Sequence, residues 1–351
     1  MFTWSESPSK DMWEHLKFLG NKNNCINLLN GSIKSERTII YNETNEFMEK
    51  KADQIAMCIN QAFEYFEAAD KVSIRTSPVL LFYGMLSLAK AVIVANEKTI
   101  FVEDINYHGL HTRPRNQSLQ QYKNDRNSWE IEKEFSVTDK GVFKYLTNIF
   151  DSFMFPDGSF IFLKDMLSVC PEVHNIYEKY YGEPARILAL YSLEESNDPN
   201  YKMKISSYSN DAFIRFPEMT EHFDLEADLL HGVGYVFSSK STVQTRPDYL
   251  GVYEPYVGGR YVVGGLKFYN EVGFDTKYLS PVTIDYLAMH TLSIVARYKQ
   301  DFWGSIISGH DTGSISLISL YLSVVKRRFP NAILEKMFGE EFGYGIVSRW
   351  L

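Results

Sequence analysis

Apolar residues recur along the first hundred positions with the period of a helix. Between Asn45 and Lys71, Ile55, Ile59, Ala62, Phe63 and Phe66 fall at i, i+4, i+7, i+8 and i+11, one face of an amphipathic helix. From Pro78 to Ala95 the pattern becomes an almost continuous apolar run, PVLLFYGMLSLAKAVIVA. Thr76 or Ser77 is placed to cap it, with Pro78 in its first turn. Two long helices joined by about six residues pack antiparallel. Upstream, MWEHLKFLG predicts a shorter helix closed by Gly20. The run at 78–95 is about long enough to cross a bilayer. Lys90 lies inside it, however, and Tyr83, Gly84 and Ser87 interrupt it, so it reads as a buried core helix with no membrane contact.

The middle of the chain changes period. Helices are expected around Lys140–Phe150 and Asp165–Tyr181. KMKISSYS, DAFIRF, GVGYVFSSKSTVQTR and GVYEPYVGGRYVVGGLKFY then read as strands, with Gly258-Gly259 as a hairpin signal. From Leu279 the helical pattern returns. Ser280-Pro281 opens one helix with Leu287, Ile294 and Tyr298 on one face. A second, GSISLISLYLSVVKRRF, ends in a basic turn and is expected to stop at Pro330. The chain divides into a helical region over 1–98, a mixed region with a basic loop and an antiparallel sheet over 99–275, and a helical region over 276–351 that packs on the first.

Composition narrows the classes. The 351 residues are 45% hydrophobic and carry a net charge of −8, which excludes a disordered chain and a wholly basic nucleic-acid binder. Cys25, Cys58 and Cys170 are too few and too scattered for a disulfide scaffold, and read as reduced thiols of a cytoplasmic protein. The N-terminal residues carry Glu6, Asp11 and Glu14 and no apolar segment, unlike a signal peptide.

PVLLFYGMLSLAKA followed by YHGL, and later HTLSIVARYKQDFW followed by RRFPNAILEKMFGEE, resemble the YaaC-like proteins. The resemblance covers Pro78–Ala91, Tyr107–Leu110, Met289–Trp303 and Arg328–Glu340. It implies a fold and a compartment more than an activity. Tyr83, Gly84, Leu86, Lys90 and Ala91, then His108-Gly109, are also similar to HEPN helical domains, which include RNA-cleaving toxins and defence effectors. Together these imply an α+β, mainly α fold: a HEPN-like helical core from the N- and C-terminal helices, with a small antiparallel sheet inserted. The HEPN similarity alone also implies a prokaryotic defence or stress setting.

HEPN nucleases carry Arg and His on a helix with four to six residues between them. Arg215 and His222 have that spacing here. With eight His in the chain, about one such pair arises by chance, and Pro217 interrupts the helix the motif needs. His108, His222 and Arg215 are thus the candidates for a metal-independent ribonuclease, and the balance leans against catalysis. His108 and His111 are spaced to offer two metal ligands, but no complete ligand set is visible, so neither a metal nor a cofactor is expected. The simpler reading of His108-Gly109 is a tight turn with the imidazole bonded to backbone.

Arg113, Arg115, Lys123 and Arg126 make a local basic segment in an acidic chain. Guanidinium forks suit phosphate, and Tyr107 and Tyr122 can stack on a base. Arg297 follows His290 on nearly the same helical face, although Asp285 or Asp301 can pair with it. Lys90, within its apolar helix, needs Glu64, Glu67 or a bound anion beside it. The phosphate-site candidates are therefore Arg113, Arg115, Arg297, Lys90, His108 and Tyr83. The expected role is non-catalytic binding of RNA or a nucleotide, or of a partner protein. The alternative roles are ribonuclease and structural subunit, the latter with apolar helices at a homo-oligomer interface.

Overall fold

The computed structural model describes residues 2–5, 7–112, 131–196, 201–227, 234–254, 259–270, 273–309 and 314–346. In chain order, its first half comprises β1 (Phe2–Ser5), α1 (Pro8–Leu19), α2 (Lys22–Leu29), α3 (Asn45–Lys71), α4 (Ser77–Asn96), β2 (His108–His111), β3 (Phe135–Gly141) and α5 (Val142–Asp151). Next come β4 (Phe160–Phe162), α6 (Leu163–Ser168), α7 (His174–Tyr181), β5 (Ile187–Ser196), β6 (Lys202–Ser207), α8 (Ala212–Arg215) and α9 (Met219–His222). Five strands follow: β7 (Phe223–Ala227), β8 (Tyr235–Ser239), β9 (Leu250–Tyr253), β10 (Tyr261–Gly264) and β11 (Leu266–Tyr269). The chain ends with β12 (Phe274–Lys277), α10 (Pro281–Tyr298), α11 (Gln300–Ile307), α12 (Ser314–Phe338) and β13 (Gly343–Ile346).

The expectation of a mainly α protein on a HEPN-like helical core is overturned. The strands build one sheet of six and one of five, besides the short parallel pair β1–β13. The fold is α+β with substantial sheet. Several strands lack a clean two-residue alternation: β3 is buried at four successive positions and β5 ends in an acidic stretch. Such strands do not announce themselves by period.

The chain forms two compact units, Met1–Phe160 with Ser280–Leu351, and Ile161–Leu279. In the first, α4 is the central helix, packed by α3, α5, α10 and α12. Thr44 caps α3 by accepting from the Phe47 amide at 3.4 Å. Ile55, Ile59, Ala62 and Phe66 then form its buried face. Gly84 lets α4 approach closely, since a Cβ there would lie 2.6 Å from the Phe66 ring. The apolar run is a core helix, with Leu81, Met85, Leu88 and Val92 fully enclosed. Ser280 caps α10 by accepting from Thr283, and Pro281 starts its first turn. Contrary to expectation, α12 runs through Pro330, with Phe329, Ile333, Leu334 and Met337 buried around it. That burial offsets the one lost backbone hydrogen bond.

In the second unit, six strands run antiparallel in the order β7-β8-β6-β5-β10-β9. Their core is built on Met203, Ile205, Phe216, Phe237 and Val262. β11 and β12 form an antiparallel hairpin. DAFIRF, read as a strand, is instead the one-turn helix α8. The expected helix over 165–181 is broken at Cys170-Pro171 into α6 and α7. The Gly258-Gly259 signal falls between β9 and β10, which do pair; Gly259 has φ +89° and Gly258 lies outside the described residues.

A cleft between the His108 strand and the His290 helix

The candidate site lies within the first unit, where β2 and α10 meet. His108 stands exposed at the start of β2, which pairs antiparallel with β3. The register slips after His108, at Gly109, whose φ is +85°. A Cβ at Gly109 would sit 2.7 Å from the Phe143 amide nitrogen, so only glycine lets the strand lie this close to α5. The expected tight turn is thus a bulged strand. The imidazole does contact backbone: His108 Nδ1 accepts from the Leu110 amide at 3.3 Å. The fully buried Tyr286 hydroxyl donates to the His108 carbonyl at 3.0 Å, anchoring the strand to α10.

His290 lies behind His108, with ring centroids 5.1 Å apart. Phe82 of α4 packs edge-on against both rings. His290 is fully buried, and its Nδ1 lies 2.6 Å from Ser136 Oγ on β3. Ser136 Oγ in turn lies 2.9 Å from Thr291 Oγ1. His290 Nε2 is buried and has no hydrogen-bond partner. An open cleft of about 420 Å³ is lined by His108, Leu110, His111, Thr112, His290 and Ile294.

Arg297 stands one turn beyond Ile294. It donates to the Tyr83 hydroxyl at 2.8 Å and to the Ser293 carbonyl at 3.2 Å, and lies over the Tyr83 ring. No described carboxylate pairs with it. Asp285, one expected partner, is fully buried and grips Arg328 through both oxygens, at 3.0 and 2.5 Å, while accepting from Tyr321. Burial holds the His290 imidazole well below its ordinary range, and His108, Arg297 and His111 push it the same way. Desolvation lowers His108 first, followed by Arg297 and His111; the exposed Asp139 opposes them. Arg297 therefore acts on both imidazoles of the cleft wall, and one of them carries a buried, unsatisfied nitrogen.

The other sequence candidates lie elsewhere. Arg113 and Arg115, like Tyr122, Lys123 and Arg126, lie outside the described residues. Tyr107 is exposed beside the cleft strand, with the Lys140 ammonium 5.5 Å above its ring. Lys90 is half-buried on α4 and near enough to act on the Cys58 thiol, and it does not line the cleft. The expected partner Glu67 pairs with Lys71. Arg215 and His222 sit on separate short helices of the second unit, each engaged by its own partners. Arg215 binds Asp211 at 2.8 Å and also Glu178, whereas His222 lies 2.8 Å from the Tyr249 hydroxyl. Among the described residues no group of three His, Cys, Asp or Glu is placed to hold a metal.

Sequence reasoning missed Ser136 and Phe82. It also missed the lysine that is truly buried, Lys51, which is fully enclosed and donates to the Val94, Glu97 and Ile100 carbonyls at 3.0, 2.9 and 2.7 Å. Lys51 lies on the stripe side of α3, where one cation amid apolar neighbours is a signal for a carbonyl-capping role.

No curated protein and no solved structure matches the chain. The family model described as YaaC-like Protein matches residues 18–337, a span that includes Tyr83, His108, His290 and Arg297. This chain therefore belongs to the YaaC-like family.

Proposed function

We propose that this YaaC-like protein binds a small phosphate-bearing ligand in the His108–His290 cleft, without catalysing its conversion. The observation that carries the reading is Arg297, a half-buried guanidinium with no described carboxylate partner, held by Tyr83 and Ser293 and close enough to act on the His108 and His290 imidazoles. A guanidinium so placed is suited to an anion. Tyr83, His108, His290 and Arg297 also come from three of the segments by which the sequence resembles the family. The net charge of −8 favours a small local ligand, such as a nucleotide or the end of an RNA strand, over a duplex. We place the protein in the cytoplasm, on the strength of three buried free cysteines.

Calorimetric titration with inorganic phosphate and pyrophosphate tests this reading. Arg297→Ala is expected to weaken binding by about tenfold or more, the loss of one charge-assisted contact. Affinity is expected to rise as pH falls below 6.5, as His108 gains its proton, and His108→Ala is expected to flatten that rise. Unchanged affinity in Arg297→Ala contradicts the proposal.

A further inference from the structure

The hydrogens around His290 can be counted. Thr291 Oγ1 donates its one proton to the Leu287 carbonyl at 3.1 Å, the back-bond a helical threonine commonly makes. The 2.9 Å contact between Ser136 and Thr291 then needs the Ser136 proton. Ser136 therefore meets His290 with a lone pair, and the proton in their 2.6 Å bond belongs to His290 Nδ1. A neutral imidazole has a single N–H. Nε2 is left as a bare lone pair, buried and without a donor. A fully ionised phosphate ester has no proton to give it. A buried acceptor in this state costs about 1–3 kcal/mol until a donor arrives.

We infer that the phosphate-bearing ligand carries a hydroxyl on the carbon next to its phosphate ester, and that this hydroxyl donates to His290 Nε2 while the phosphate meets His108 and Arg297. The inference rests on the anion reading of the same cleft. The 5.1 Å between the two imidazole centroids suits substituents on adjacent carbons, one taken by each ring. A ribose 3′-phosphate with its 2′-hydroxyl has this chemistry, and so does a polyol phosphate. Specificity of this kind comes from the group left unpaired when the wrong ligand binds.

Calorimetry with adenosine 3′-monophosphate, 2′-deoxyadenosine 3′-monophosphate and inorganic phosphate tests it. The ribonucleotide is expected to bind about tenfold or more tightly than its deoxy analogue. His290→Phe is expected to erase that difference. Equal affinity for the two nucleotides in the wild type overturns the hydroxyl inference and leaves the anion site standing. So does binding of inorganic phosphate with neither nucleotide bound. Failure of all three to bind overturns both readings. If His290→Phe does not fold, nitrogen-15 NMR of the wild type decides the tautomer: a proton on Nδ1 is expected, and one on Nε2 overturns the inference.

Discussion

At the scale of single residues, three buried polar groups organise the first unit, and each makes a different demand. Lys51 closes the C-terminal end of α4, its ammonium shared among three carbonyls and its pKa pushed down to about 8 by burial. Lys51→Met removes the ammonium those carbonyls share and is expected to cost about 3 kcal/mol in denaturant unfolding. An unchanged unfolding midpoint contradicts the capping role. Asp285 pairs with Arg328 inside the core, and Asp285→Asn is expected to destabilise by about 3–5 kcal/mol by removing one charge of that buried pair. His290 differs because its partner set is incomplete. It stays neutral in the folded protein, whereas an unfolded histidine takes up a proton near 6.5. Below that pH the unfolded chain holds the extra proton, so acidification lowers stability, by up to about 1.4 kcal/mol per pH unit from this group. His290→Phe is expected to remove that part of the slope between pH 7 and 5.5. An identical slope in the variant contradicts a neutral buried His290.

At the scale of elements, the long helices were legible in the sequence and the sheet that carries His108 was not. The stripe of α3 and the apolar run of α4 each match one dominant feature of their burial. Pro281 and Ser280 likewise mark the start of α10. The His108 strand is four residues long, begins exposed and turns on a glycine bulge, so neither period nor propensity reveals it. His108 and Arg297 were visible as candidates from residue type and helical spacing. Ser136 was not, because its partners are more than 150 positions away in sequence. Pro330 misled for the opposite reason: local chemistry predicts a stop, and the surrounding core overrides it. The bulge yields its own prediction. Gly109→Ala places a Cβ against the Phe143 backbone at φ +85° and is expected to cost about 1–3 kcal/mol. It is also expected to weaken phosphate binding by shifting His108, which thermal melts and calorimetry on the same sample test. Full stability and affinity contradict the strand geometry.

At the scale of the whole molecule, the acidic total and the cationic cleft have one explanation. A net charge of −8 disfavours polyanions over most of the surface, and the proposed anion site is the place where Arg297 acts on the His108 and His290 imidazoles. The anchors of the family resemblance, scattered from Pro78 to Glu340 in sequence, bring three of their segments to that place. The central claim is that this cleft is where the protein takes its anionic ligand. Imidazole NMR spectra recorded during a pyrophosphate titration test it most directly. The resonances of His108 and His290 are expected to move together and saturate, while those of His15, His174 and His222 stay in place. Uniform small shifts across all of them, or shifts confined to His222, contradict it.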